Sequence, residues 1–158
     1  MFDFQLLADL VAVAAALSGY PVIAVDSLPR IEILAPLEFK LAVCPDNPDE
    51  CNGIAAYFDE DGQAIRLVDT LDLQSPQGRS FLVHELVHVL QYHARGRIAE
   101  AGCAGNLRSE QEAYRVQNAY LRQSGRHEQY GGPIMFMRCD IRQTGDSHMQ
   151  LVHGYEGR

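Results

Sequence analysis

The residues best suited to chemistry in this chain are His84, Glu85 and His88, which form the pattern His-Glu-x-x-His. The pattern lies in an apolar, helix-forming run, and a spacing of four residues places both imidazoles on one helix face. Two rings in that arrangement can bind a single metal ion without distorting the backbone. Glu85 lies about 100° further round the helix. From there it can reach a water molecule on the ion but is poorly placed to act as a ligand.

The chemistry that this arrangement predicts is that of a catalytic zinc. Two neutral imidazoles and one oxygen ligand, with a position left for water, are typical of catalytic rather than structural zinc sites. The ion acidifies the water and the glutamate takes its proton. Because the helix is apolar nearly all round, Glu85 should be buried, where a bound cation would compensate its charge. A pair of core histidines hydrogen-bonded to Glu85 is the alternative interpretation.

The segment His84–His88, HELVH, resembles the metal-binding motif of the zincin metallopeptidases. Zincins with a longer motif have a third histidine ten positions after the first, where this chain has Ala94. Gluzincins instead take a glutamate from a second helix downstream. Similarity to the gluzincins implies a third ligand within Ser109–Leu121, which has the pattern of such a helix.

Glu110 and Glu112 are the two candidates for this third ligand. Glu110 shares a helix face with Ala113 and Tyr114, and its Glu-x-x-Ala pattern is similar to that of several gluzincin-like families. Ser109 and Glu112 have the spacing of a capping box, which would give Glu112 a structural role at the helix start. Glu110 is therefore favoured. Glu112 stays open as the ligand, as does the interpretation that both carboxylates are solvated on the helix surface.

The resemblance implies a peptidase in which His84, His88 and Glu110 hold Zn²⁺. Glu85 would act as the general base. A non-catalytic binding module that keeps the zinc for stability is the alternative from another class. The side chains that could stabilise the oxyanion or hydrogen-bond to the ligands are Tyr114, His127, Tyr130, His148, Gln91 and Gln117.

Composition limits the partners of this chain. With 158 residues, 47% of them hydrophobic, residues 1–158 are expected to form one domain with a substantial core. A net charge of −8 argues against nucleic acid and against anionic membranes. The apolar run Leu6–Leu17 is too short to span a bilayer and should form a packed first helix that ends at Gly19. We therefore expect no nucleic acid partner and no membrane insertion. The resemblance to the zincins implies a peptide or protein substrate.

The four cysteines bear on the compartment. Cys44 and Cys51 bracket a short loop, and Cys103 and Cys139 flank the second helix. Four cysteines allow three pairings, among which the sequence does not decide. Two disulfides would require an oxidising compartment, so an exported protein, periplasmic or secreted, is favoured over a cytoplasmic one with four free thiols.

Two helices must position the proposed ligands. Ser75, followed by proline, is a good start for the metal helix, which can run to residue 95 and end at Gly96. The second helix is expected to begin near Asn106 or Ser109 and to end at Gly125.

The predicted fold class is α+β: a compact zincin-like domain with an N-terminal helix, a small sheet that contains a hairpin, the metal helix and the ligand helix. Asp61-Gly62 between two β-rich runs is a strong hairpin signal, and Pro36 marks a loop. In zincins an edge strand beside the site pairs with the substrate backbone, a role that position gives to Gly53–Phe58. An ordinary sheet strand whose edge is covered is the alternative interpretation of this segment. The predicted extended segments are Tyr20–Leu34, Ile54–Phe58, Ala64–Val68 and Ile134–Ile141.

Overall fold

The computed structural model describes residues 3–98 and 102–139 of the chain. This part contains four α-helices and one three-stranded sheet, so the predicted α+β class is confirmed. The helices are α1 (Phe4–Ser18), α2 (Pro36–Val43), α3 (Pro76–Arg95) and α4 (Gly102–Gln123), and the strands are β1 (Arg30–Leu34), β2 (Ala56–Asp59) and β3 (Ala64–Val68).

The sheet has the strand order β1-β3-β2, so that β2 lies at an edge. β3 pairs in parallel with β1 and antiparallel with β2, with Phe58 opposite Ile65. The predicted hairpin is therefore present. Its turn is closed by Asp59, whose carboxylate accepts a hydrogen bond of 2.9 Å from the backbone N–H of Gly62.

Helix α3 begins and ends where the sequence predicts. The Ser75 hydroxyl accepts a hydrogen bond from the Gly78 N–H, and Pro76 occupies the first helical position, where its missing N–H is not needed. Gly96 follows the last residue with a φ of 83°, a backbone conformation that glycine adopts without strain.

The core surrounds α3, which packs against α1, α4 and β2. Leu82, Val83 and Leu86 are at most 1% exposed, as an all-round apolar helix requires. Helix α1 contributes Leu10 and Val11 to the same core. Burial on every side fixes the rotation of α3, which determines where its histidines point.

Several predicted elements differ from those observed. Within Tyr20–Leu34 the structure has a 3₁₀ turn at Val25–Ser27 and a strand at β1 alone, because the prolines of this segment cannot donate to a ladder. Pro36 begins α2 rather than a loop, since proline is well suited to the first helical position.

Helix α4 begins at Gly102, well before the predicted start, so the predicted capping box is wrong. Ser109 lies inside the helix and its hydroxyl hydrogen-bonds to Gln91. Ile134–Phe136 forms a 3₁₀ turn instead of the start of a strand, and residues 140–141 of that prediction lie outside the described residues.

Two disulfides join Cys44 to Cys51 and Cys103 to Cys139. The second disulfide ties the segment after α4 back to the first turn of that helix. In the part of the chain that the structure describes, no helix has both the length and the apolar character needed to cross a membrane.

Candidate metal centre

The side chains of His84 and His88 on α3 meet that of Glu110 on α4. The two Nε2 atoms lie 3.1 Å apart. The glutamate oxygens lie 3.3 Å from Nε2 of His84 and 3.1 Å from Nε2 of His88. Two packed helices thus bring three metal-ligating groups to one point.

These separations, which involve both carboxylate oxygens of Glu110, are close to the donor spacing of a zinc site. A tetrahedral ion with ligands at 2.0–2.1 Å separates its donor atoms by about 3.3 Å. The cluster is also buried, because His84, His88 and Glu110 are 2%, 5% and 7% exposed. Lone-pair donor atoms from three residues that face one another in a buried space repel unless a cation or a shared proton lies between them.

A chain of hydrogen bonds fixes the tautomer of His84. The Ser80 hydroxyl donates to the carbonyl oxygen of Gln77, so it can only accept from the side-chain amide of Gln117. The Gln117 NH₂ group therefore faces Ser80, and its oxygen lies 3.1 Å from Nδ1 of His84. Nδ1 must then carry the proton, which leaves the Nε2 lone pair directed at the cluster.

The same reasoning fixes the tautomer of His88. The Gln91 NH₂ group donates to the Glu112 carboxylate at 2.8 Å and to the Ser109 carbonyl oxygen at 3.1 Å, and both partners can only accept. The Gln91 oxygen therefore lies towards Nδ1 of His88, at 2.9 Å, and accepts its proton. Both rings thus direct Nε2, rather than Nδ1, at the cluster.

The electrostatic environment favours a positive charge at this point. Burial lowers the pKa of His84. Burial also lowers the pKa of His88, but the adjacent Glu110 carboxylate outweighs that effect and raises the pKa to about 9. A divalent cation would supply the positive charge that this carboxylate attracts.

Glu85 lies beside the cluster without belonging to it. Its side chain is 3% exposed, and one carboxylate oxygen accepts a hydrogen bond of 2.9 Å from the backbone N–H of Phe58 on β2. That bond ties the carboxylate to the edge strand. A buried carboxylate held next to a potential metal site, but not turned into it, is placed to exchange protons with a group bound there.

Two spaces lined by described residues border the cluster along β2. A small gap reaches His84 and Glu85 between Ala55, Ala56 and Phe81. On the other side a pocket of about 190 Å³ reaches Glu85, His88 and Glu110, and its outer wall is acidic. The residues of that outer wall include Asp59, Glu60 and Asp61.

Comparison with known proteins gives one match. The family described as a domain of unknown function, DUF6647, matches residues 7–144. The chain belongs to the DUF6647 family. No curated protein and no solved structure matched it. The matched residues include α3 and α4, so the cluster lies within the DUF6647 domain.

In this DUF6647 domain, Glu112 lies apart from the cluster. Its carboxylate accepts hydrogen bonds from Tyr20, Gln91 and Arg95, at 2.7, 2.8 and 2.7 Å. The geometry therefore gives Glu112 a supporting role, in which it orients the amide that contacts His88. Sequence reasoning missed this role because it depends on contacts between the segment after α1, α3 and α4.

The predicted oxyanion candidates lie in different places. The Tyr114 ring packs edge-on against His84, with 4.4 Å between ring centroids, and Tyr130 lines the same gap. His127 is exposed, and His148 lies outside the described residues. Gly131 packs on Tyr114 so closely that a Cβ atom there would lie 2.2 Å from its ring. The segment after α4 thus closes over one side of the cluster.

Proposed function

We propose that this DUF6647 domain is a zinc-dependent metallopeptidase that hydrolyses peptide bonds. The observation that carries the proposal is the buried triangle of His84, His88 and Glu110, with Glu85 held separately beside it. Two imidazole nitrogens and one carboxylate are the protein ligands of several catalytic zinc sites. A bound zinc ion would polarise the scissile carbonyl and make water a stronger acid.

The residues around the ion have separate tasks in this proposal. The Glu85 carboxylate takes a proton from water and passes it to the leaving amine. The Phe58 N–H holds that carboxylate at the edge of the sheet. Gln91 and Gln117 keep the two imidazoles in the tautomer that presents Nε2 to the ion.

A non-catalytic module that keeps zinc only for stability is the alternative. Such a site needs ligands and their hydrogen-bond partners, but no further carboxylate. Glu85 is buried beside the cluster at a desolvation cost that a purely structural site would not require. That feature favours the enzyme.

The compartment in this proposal is an oxidising one, periplasmic or extracellular. Two disulfides, Cys44–Cys51 and Cys103–Cys139, use all four cysteines of the chain. Structural disulfides of this kind persist in exported proteins and are rare in the reducing cytosol.

The test of the proposal is the variant Glu85→Gln, which keeps an acceptor for the Phe58 N–H but cannot take a proton. We expect the rate at which the protein cleaves a mixed peptide library, measured by mass spectrometry, to fall by about 10²- to 10⁴-fold. Zinc content and melting temperature should stay unchanged. Glu38→Gln, an exposed substitution on α2, is the matched control. Undiminished cleavage by Glu85→Gln, or zinc binding by a wild-type protein that cleaves nothing, would contradict the proposal.

A further inference from the structure

A cavity of about 500 Å³ lies next to the metal centre and takes no part in holding the ion. It is bounded by α2, the segment that leads into β2, the loop after β3 and the first turns of α3. Its floor is buried, because Phe39 and Cys51 are each 1% exposed. The apolar side chains that line it include Phe39, Ile54, Ala55, Val68, Leu71 and Phe81.

The cavity adjoins the side of the cluster on which Glu85 lies. Ala55 and Phe81 line both the cavity and the small gap that reaches His84 and Glu85. Phe81 precedes His84 by three residues, which is about 4.5 Å along the helix axis. The cavity therefore begins within one helical turn of a proposed ligand.

The cavity, the small gap and the acidic pocket follow one another along the edge strand β2. Gly53–Ala55 border the cavity, Ala55 and Ala56 border the gap, and Tyr57–Asp59 border the acidic pocket. An extended peptide laid along β2 advances about 3.3 Å per residue. Ala55, at the edge of the cavity, is three residues from Phe58, whose N–H is bonded to Glu85, so a substrate side chain about three residues from the bond beside Glu85 would reach the cavity.

The lining selects for an apolar occupant. Its charged members are Lys40 and Asp72, and the Lys40 ammonium group donates to the Asn52 side chain. Asp72 is exposed. The buried floor has no charged group to pair with a charged side chain, whereas it can bury a large apolar one. Burial of a large apolar side chain in the cavity should strengthen peptide binding by roughly 10- to 150-fold relative to a small one.

We infer that this cavity receives a bulky apolar side chain of the peptide substrate, such as that of phenylalanine or leucine, and thereby determines specificity. The inference rests on the proposed peptidase function for the identity of the bound peptide. It assigns a separate task to residues that the metal centre does not use.

The test uses N-acetylated, C-amidated peptides that differ in one residue, which is Phe, Leu, Ala, Asp or Lys. Binding is measured by methyl NMR shifts in zinc-loaded Glu85→Gln and in the chelator-treated wild-type chain. We expect the Phe and Leu peptides to shift the methyl resonances of Ile54, Val68 and Leu71 and to bind at least tenfold more tightly than the Ala peptide. Equal binding of all five peptides, or shifts confined to other methyl groups, would overturn the inference.

A substitution that fills the cavity with a larger side chain gives an independent check. Thr70 is exposed at the cavity mouth, and Thr70→Trp should abolish the preference for Phe and Leu peptides. Gln74→Trp, on the same loop but outside the lining, should keep it. Cleavage without any preference would refute the inference and leave the peptidase proposal intact. Selective binding without cleavage by the wild type would support the cavity assignment and refute the peptidase proposal.

Discussion

At the scale of single residues, the notable feature is that amide oxygens, rather than carboxylates, orient both histidines. Gln117 and Gln91 contact Nδ1 of His84 and His88, and each amide is oriented by partners that can only accept. The two rings are therefore held with Nε2 facing the cluster before any ion binds. This orientation lowers the free energy needed to organise the two rings when an ion binds.

Loss of one such contact should weaken the site without unfolding it. Gln117→Met keeps the length of the side chain but removes the acceptor for the His84 Nδ1–H. We expect zinc affinity to fall by about 10- to 100-fold, measured by competition with a chromophoric chelator. Gln123→Met, exposed at the end of α4, is the control and should bind zinc as the wild type does. Equal affinities in the two variants would show that the amide has no orienting role.

The residue pattern predicted part of this site. His84 and His88 follow from their spacing on one helix, and the same spacing excludes Glu85 as a partner ligand. The choice between Glu110 and Glu112 depends on how α4 is rotated against α3. Contacts made by Glu112 with Tyr20 and Arg95 help to fix that rotation, and they join residues far apart in the sequence.

At the scale of elements, the small sheet positions the edge strand beside Glu85. An ion-pair cluster holds the three strands together on one face. Arg66 on β3 lies 2.8 Å from the Asp59 carboxylate on β2 and 3.0 Å from the Glu32 carboxylate on β1. The Arg66 side chain is 14% exposed, so solvent screens these pairs only in part.

The contribution of these ion pairs to the stability of the fold should depend on pH. Hydrogen bonds from Arg30 and then Arg66 lower the pKa of Glu32. Burial raises the pKa of Asp59, but hydrogen bonds from Gly62 and Arg66 outweigh it and lower the pKa. Carboxylates with lowered pKa values stabilise the fold above their unfolded values, 4.5 and 3.8, and lose this effect as pH falls through the folded values.

Arg66→Met should therefore lower the free energy of unfolding by about 1 kcal/mol at pH 7. The difference from the wild type should shrink below about pH 4 as the carboxylates become protonated. Urea unfolding at several pH values measures both effects, and Arg122→Met on the exposed end of α4 is the control. A difference that does not change with pH would refute this interpretation.

Element boundaries were predictable where local chemistry decides them. The cap at Ser75, the glycine at 96 and the Asp-Gly turn each mark a boundary that the structure has. Helix α2 and the early start of α4 were missed. Asn106 and Ser109, the two candidate starts, both lie inside α4, which extends back to Gly102 beside the disulfide at Cys103.

At the scale of the whole molecule, the two disulfides close loops of very different length. Cys44–Cys51 spans 7 residues, whereas Cys103–Cys139 spans 36 and pins the segment that covers Tyr114. A longer closed loop removes more conformational entropy from the unfolded chain. The second disulfide should therefore contribute more to stability.

Replacing both cysteines of a pair by serine tests this difference. By loop entropy, removal of Cys103–Cys139 should cost about 4 kcal/mol and removal of Cys44–Cys51 about 2.5 kcal/mol. Urea unfolding of the two double variants, with the wild type as reference, gives these values directly. A larger loss for the Cys44–Cys51 pair would mean that native-state contacts, rather than chain entropy, dominate.

The most direct test of the account is the zinc content of the purified chain and of matched variants after dialysis against zinc and removal of loosely bound metal. We expect one ion per chain in the wild type and in Glu112→Gln, and a loss of bound zinc in His84→Ala and in Glu110→Gln. Stoichiometric zinc in Glu110→Gln, or none in a folded wild-type protein, would contradict the assignment of His84, His88 and Glu110 as a metal centre.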